Sequence, residues 1–184
     1  ASKLFLGFFK TLLIMTIMVI VVGVSVGVGM IKGIIDSAPE INIESIVPQG
    51  FATTVYDSAG NLTDTLVMAG SNRDPATYEE LPQDLIDAFV AIEDSRFWEH
   101  NGIDPRSIVR AVKGVLTGDR SAGGGSTLTQ QLIKNNVFNG GREQSFGEQL
   151  ERKFQEQYLA VQLSKTMSKE MVLTNYINTI NLGK

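Results

Sequence analysis

The stretch LIDAFVAIEDSRFWEHNGIDP, residues 85–105, decides how the second half of this chain folds. Its first part carries Leu85, Phe89 and Ile92, with Ala88 and Ala91 on the same side, the i, i+4, i+7 spacing of a helix with one buried face. Its last part, Asp104-Pro105, is a helix start: an acid that caps free N–H groups, then a proline where no N–H is needed. Between them lies the densest group of chemically capable side chains in the sequence, Glu93-Asp94-Ser95-Arg96-Phe97-Trp98-Glu99-His100. Glu93 directly follows Ile92. A carboxylate held against apolar neighbours is poorly solvated, which raises its pKa and suits acid–base work. The same residue equally fits an ordinary helix terminus, with Asp94 and Arg96 paired in solvent.

Downstream, Ile108, Val112, Val115 and Leu116 form the apolar stripe of a helix that Gly118 ends. Arg106, Arg110 and Lys113 run beside it as a cationic row, fit for a phosphate or for plain solvation. Residues 119–125 read as a loop closing on Gly123-Gly124-Gly125, after which Thr127 and Gln130 form a capping box. Glycines ahead of a helix amino terminus let backbone N–H groups approach an anion. Ser126, Gln130 and Lys134 share one face of that helix. The loop is not a Walker A motif, since no Gly-Lys-Ser/Thr follows at the required spacing.

A longer helix is marked by Phe146, Leu150, Phe154 and Val161, and a last one begins near Ser168 with Leu173, Ile177 and Ile180 inward. Arg152 and Glu156 are i, i+4 neighbours on the long helix, with Glu156 about 200° around from Phe154. They fit a surface ion pair, or a second carboxylate facing a cleft with Glu93.

Upstream, residues 36–50 with Pro39 and Pro48 read as an extended linker. Phe51–Tyr56 and Leu62–Val67 read as a hairpin across Asp57-Ser58-Ala59-Gly60-Asn61, and residues 70–82 as a loop. Residues 11–31 contain no charged side chain. As a helix they would be about 32 Å long, the thickness of a bilayer's hydrocarbon core. Lys3 and Lys10 precede this span, so positive charge favours a cytoplasmic tail at 1–10 and an exported remainder. A cleaved signal peptide is the competitor, but its apolar run would be shorter, about 7–15 residues. Gly23 and Gly27 make a small-xxx-small step, a helix-pairing face or mere composition.

The 184 residues include no cysteine and one histidine, His100, which excludes disulfide frameworks, thiol chemistry and multi-histidine metal sites. Residues 36–104 hold 14 acids and two bases, while residues 105–184 hold six acids and 11 bases. A basic module behind an acidic one points to anionic headgroups, phosphates or acidic polymers as partners, or to a surface neutralised from within. No Ser-x-x-Lys occurs, so acyl-serine transpeptidase chemistry is absent from this stretch.

Four motifs in order resemble the family 51 glycosyltransferases, the peptidoglycan polymerase module of class A penicillin-binding proteins and monofunctional polymerases. They are Glu93-Asp94-x-x-Phe97-x-x-His100-x-Gly102; Gly124-Gly125-Ser126-Thr127-Leu128-Thr129-Gln130-Gln131-Leu132 with Lys134-Asn135; Arg152-Lys153-x-x-Glu156; and Lys169-Glu170-x-x-Leu173-x-x-Tyr176-Ile177-Asn178. Ile177 stands where leucine is commoner.

The resemblance implies a mainly α, lysozyme-like helical glycosyltransferase domain over 81–184. Ahead of it stand a connecting region, 32–80, with a small β-hairpin, and a transmembrane helix, 11–31. It implies inverting polymerisation of lipid II at the outer face of the plasma membrane, with release of polyprenyl pyrophosphate. Glu93 would be the general base and Glu156 the second carboxylate, orienting groups or assisting departure. Arg110, Lys134 and Arg142 would stabilise the pyrophosphate. Ser126, Thr127, Gln130, Gln131, Arg152, Lys153 and Asn178 would bind substrate, while Asp94, Phe97, His100, Gly102, Gly124 and Gly125 would shape the motifs.

Implied partners are lipid II, the nascent glycan strand, plasma membrane lipids and other cell-wall synthesis proteins, with no nucleic acid. A divalent cation, magnesium or manganese, would suit the pyrophosphate, although the sequence shows no dedicated metal cage. The family domain continues beyond the position of Lys184, so the chain reads as truncated there. The rival readings are a lysozyme-like lytic hydrolase using Glu93 as general acid, and an inactive membrane-anchored cell-wall scaffold.

Overall fold

The structure is a computed structural model that describes residues 2–48, 53–66, 75–119 and 123–180. The expected strand ends at residues 51, 52 and 67, and the loop residues 70–74 and 120–122, lie outside the described residues. The chain divides into two compact units after Ala38.

The first unit is one helix, α1 (Ser2–Asp36), which outruns the 11–31 span at both ends. Its stretch Phe5–Asp36 is long and apolar enough to cross a membrane. The hydroxyls of Thr11 and Thr16 donate back to the carbonyls of Gly7 and Leu12, so neither is left open on an apolar helix.

The second unit is helical apart from one hairpin. Strands β1 (Thr53–Tyr56) and β2 (Leu62–Leu66) pair antiparallel, with an irregularity between Val55 and Tyr56. Asp57 makes the turn: its Oδ1 accepts from the N–H groups of Ala59 and Asn61, both at 2.8 Å. The 36–50 stretch is not simply extended. It contains a short helix, α2 (Ile43–Ile46), capped by Asn42, whose Ile46 is fully buried. The Ile46 carbonyl accepts from Asn136 Nδ2 at 2.7 Å, a tether that hydropathy patterning does not register. A 3₁₀ turn at Tyr78–Glu80, with a Thr77/Glu80 capping box, replaces part of the expected loop.

Five helices follow: α3 (Gln83–Glu93), α4 (Pro105–Thr117), α5 (Leu128–Asn136), α6 (Phe146–Thr166) and α7 (Lys169–Thr179). The start signals are as read. Asp104 caps α4 with Pro105 first, Thr127 and Gln130 form the capping box of α5, and Ser168 caps α7. Gly118 ends α4 in the left-handed conformation. Helix α5 is the core helix. Its Leu128, Leu132 and Ile133 are fully buried, and α6 and α7 pack on it through Leu159, Ala160, Leu163, Val172, Leu173 and Tyr176.

Three apolar stripes are not where the spacing predicted. On α3, Ile86 and Val90 are buried while Ile92 is exposed, so the buried face is turned by about one residue. On α4, Val112, Val115 and Leu116 face outward, and the inward side is the smaller set Ser107, Ile108, Ala111 and Gly114. Gly125 explains the preference for small residues: a β-carbon there would sit 3.2 Å from Ala111 Cβ. On α6, Phe146 and Leu150 are exposed and the buried face begins with Gln155 and Glu156. A carboxylate satisfied by neighbouring cations, as Glu156 is by Arg152 and Lys153, can occupy a core position that periodicity assigns to apolar residues.

Candidate active site

The end of α3, the first turns of α4 and α5, and the middle of α6 surround a cleft of about 470 Å³. Its walls contain Glu93, Arg110, Gly124, Ser126, Thr127, Gln130, Gln131, Lys134, Arg152, Lys153 and Glu156, so four sequence-distant segments converge.

The adjacent carboxylates Glu93 and Asp94 separate at the end of α3. Asp94 turns inward and is buried. Its Oδ2 accepts the Leu128 N–H at 3.0 Å, at the amino terminus of α5, where negative charge is favoured. His100 Nε2 donates to both of its oxygens, at 2.9 and 3.0 Å. Glu93 turns outward. It is exposed on the cleft wall, so the expected desolvation by apolar neighbours is not met. Its Oε2 accepts from Gln131 Nε2 at 2.7 Å, and Gln131 Oε1 in turn accepts from the Tyr176 hydroxyl at 3.1 Å.

The remaining first-motif residues build the floor. Phe97 is fully buried, with its carbonyl accepting from Lys169 Nζ and its ring 4.4 Å from the same ammonium. Burial pushes the Lys169 ammonium below the usual lysine range, with Asp94 opposing. Gly102 has φ +86°, and a β-carbon there would lie 2.2 Å from the Ala160 carbonyl oxygen on α6. The Gly102 carbonyl accepts from the Thr127 hydroxyl at 2.6 Å, which commits Thr127 to the fold. Gln130 is also buried, its Oε1 accepting from the Thr127 N–H and its Nε2 without a partner among the described residues.

Glu156 is fully buried on α6. Arg152 donates to its Oε1, and Lys153 donates to its Oε2 at 3.0 Å. The surface reading of this pair is thereby excluded. Lys153 also donates to Ser126 Oγ at 2.6 Å, and Arg152 to Glu143 Oε2 at 2.6 Å. Burial opposes the charge on Arg152, but the bond to Glu143 and the charge of Glu156 outweigh it and raise the guanidinium above its ordinary value. Arg110 is positioned from α4, donating to Ser107 Oγ at 3.2 Å and to the Gly124 carbonyl at 3.4 Å. Among the described residues Arg110 and Lys134 have no carboxylate within ion-pair distance, although the Lys134 charge also acts on the Glu143 carboxylate.

Two expected site residues lie elsewhere. Arg142 is exposed and does not line the cleft, and its neighbour Glu143 makes the cleft contact by binding Arg152. Asn178 clasps the backbone of Ala76, with Nδ2 donating to the Ala76 carbonyl at 2.9 Å and Oδ1 accepting its N–H at 3.1 Å. Arg106 and Lys113 are also outside the cleft, so only Arg110 of the cationic row enters it.

Sequence reading missed Ser107, Glu143 and Gly141. Gly141 has φ +72°, a conformation that favours glycine, and a β-carbon there would sit 2.9 Å from the side-chain ends of both Arg152 and Lys134. The Gly140-Gly141 pair was the available signal. Among the described residues no group of three His, Asp or Glu side chains comes together to hold a metal.

The Transglycosylase family profile matches residues 59–184. The chain is 41% identical over 160 residues to penicillin-binding protein 1A of Clostridium novyi, covering 85% of this chain and 18% of that protein. It is 40% identical over 186 residues to penicillin-binding protein 1A of Clostridium perfringens strain 13, covering 99% and 26%. It is 34% identical over 174 residues to penicillin-binding protein 1A/1B of Bacillus subtilis, covering 95% and 18%. The chain thus spans between 18% and 26% of the length of these relatives.

Proposed function

The chain belongs to the Transglycosylase family, and from that premise we propose that it is a peptidoglycan glycosyltransferase extending glycan strands from lipid II. The observation that carries the reading is one exposed, oriented carboxylate, Glu93, in the same cleft as two cations with no carboxylate within ion-pair distance among the described residues, Arg110 and Lys134. A glycosyl transfer with a diphosphate leaving group needs this combination.

In the proposed reaction the acceptor sugar's 4-hydroxyl oxygen attacks the anomeric carbon of the lipid-linked donor. Glu93 takes the hydroxyl proton, the bond from the anomeric carbon to the diphosphate oxygen breaks, and polyprenyl pyrophosphate leaves with inversion. Arg110 and Lys134 stabilise the charge that develops on the leaving oxygen. Glu156 does not move a proton in this scheme. Held by Arg152 and Lys153, it fixes both cations and, through Lys153, the Ser126 hydroxyl at the cleft wall. A magnesium or manganese ion at the pyrophosphate would add to the charge stabilisation that Arg110 and Lys134 supply.

A lytic hydrolase would need an acid on finished glycan and no diphosphate site, so Arg110 and Lys134 in the cleft favour the transferase. In this reading α1 spans the plasma membrane with its amino terminus cytoplasmic and the helical unit outside. The exposed apolar side of α4, flanked by Arg106 and Lys113, meets membrane lipid.

The test is polymerisation of purified lipid II in detergent by the parent chain and by Glu93→Gln. A glycan ladder from the parent, reduced at least about a thousandfold in the variant, is the expected result, the size of loss typical for a removed base with its charge. A ladder of equal yield from both would overturn the assignment of Glu93.

A further inference from the structure

We propose that Tyr176 is a positioning residue for Glu93, acting through the side-chain amide of Gln131. The proposal rests on the reading of Glu93 as the base and extends it to a residue that does not line the cleft.

Hydrogen-bond polarity along the chain of contacts allows one arrangement. An ionised carboxylate only accepts, so the Gln131 group facing Glu93 Oε2 at 2.7 Å is the NH₂. The amide oxygen then faces Tyr176, and the phenol must donate across the 3.1 Å contact. The Glu93 carboxylate thus sets the amide orientation, and the Tyr176 hydroxyl, by donating to the amide oxygen, holds the amide in place beneath Glu93. The flipped amide would set two oxygens against each other.

The geometry around the relay is rigid where rigidity is required. Tyr176 is buried on α7, and its ring meets Phe89 edge-on at 6.0 Å and 81°. Phe89 lies one turn before Glu93 on α3, so the ring is referenced to the helix that carries the base. Burial, and then the charge of Glu93, push the phenol up to about 12, which keeps its proton in place as the donor. Glu93 Oε2 is pinned by Gln131, and among the described residues no donor bonds Oε1. One oxygen is thus held while the other stays open to receive a proton.

The decisive variant is Tyr176→Phe, which keeps the ring on Phe89 and removes only the hydroxyl. Parent and Glu93→Gln activities on lipid II establish the base separately. With the base established, Tyr176→Phe should lower kcat about tenfold at near-parental KM, since misorientation affects the chemical step. In a Gln131→Met background the same substitution should cost nothing further, because the relay is already cut. An equal loss in both backgrounds would place the effect of Tyr176 outside the relay and overturn the proposal.

A second readout needs no turnover. In the chain labelled at glutamine nitrogen, the Gln131 side-chain amide signals, identified by their loss in Gln131→Met, should be displaced in the parent by the bond to Glu93. That displacement should vanish in Glu93→Gln and weaken in Tyr176→Phe. Amide signals identical in parent and Tyr176→Phe would overturn the relay even if Glu93 proves to be the base. If Glu93→Gln stays active, the base reading fails while the amide signals still decide the orientation.

Discussion

Glu93 and Asp94 are the same functional group at neighbouring positions, and the break at the end of α3 gives them different tasks. The carboxylate that receives an N–H of α5 and both contacts of His100 is committed to the fold. The one that receives a single side-chain amide remains open to a substrate. Asp104 belongs with Asp94. Burial favours its protonated form, but Ser107, Arg96 and the N–H groups of Ser107 and Arg106 outweigh that and hold it at about 2, against 3.8 ordinarily. A carboxylate depressed in the folded state stabilises the fold above its unfolded value and loses that contribution as pH falls toward the folded value. Denaturant midpoints of the parent should therefore decline between about pH 4 and pH 2, and Asp104→Asn should flatten that decline while lowering stability at neutral pH. A pH profile of the same shape in both proteins would show that Asp104 carries no such linkage. The motif spacing exposed the Glu93-Asp94 pair but not which member points inward, because that depends on α5 arriving beside Asp94.

At the scale of single helices, start and stop signals were legible and facing was not. Capping is local: Asp104, Thr127 and Ser168 bond N–H groups two or three residues away, so the sequence holds the whole interaction. Facing is set by the partner. Helix α4 presents Ser107, Ala111 and Gly114 to the core because the Gly125 loop crosses it closely, and its larger side chains Val115 and Leu116 are left 83% and 81% exposed. Helix α6 buries Glu156 because Arg152 and Lys153 travel with it on the same helix. The α4 inversion has a direct consequence for stability. Val115→Ser and Leu116→Gln should each change unfolding free energy by less than about 0.5 kcal/mol in detergent, as exposed positions do. Leu132→Ala, at a fully buried site of α5, should cost about 2–5 kcal/mol. Comparable losses at all three positions in denaturant melts would mean that α4 packs by Val115 and Leu116 after all.

Across the whole molecule, the acidic stretch 36–104 and the basic stretch 105–184 do not form separate surfaces at the cleft. The first supplies Glu93 and Asp94, the second supplies Arg110, Lys134, Arg152 and Lys153, and the site exists only where they meet. The charge asymmetry was visible in composition, but its convergence depends on α4, α5 and α6 lining one cleft with the end of α3. Among the described residues, the buried apolar side chains run from Ile46 onward and all belong to the second unit. Removing residues 1–38 should therefore leave its cooperative thermal unfolding intact, since a unit with its own core folds on its own. Function should separate from folding in that variant. In the proposed reading α1 confines the cleft to the surface where a lipid-linked donor resides, and tethering raises effective concentration without adding a contact to the site. Polymerisation of lipid II embedded in vesicles should fall about a hundredfold, while polymerisation of the same substrate dispersed in detergent should stay within about threefold of the parent. Equal losses in vesicles and detergent would make α1 part of the catalytic unit and not its anchor.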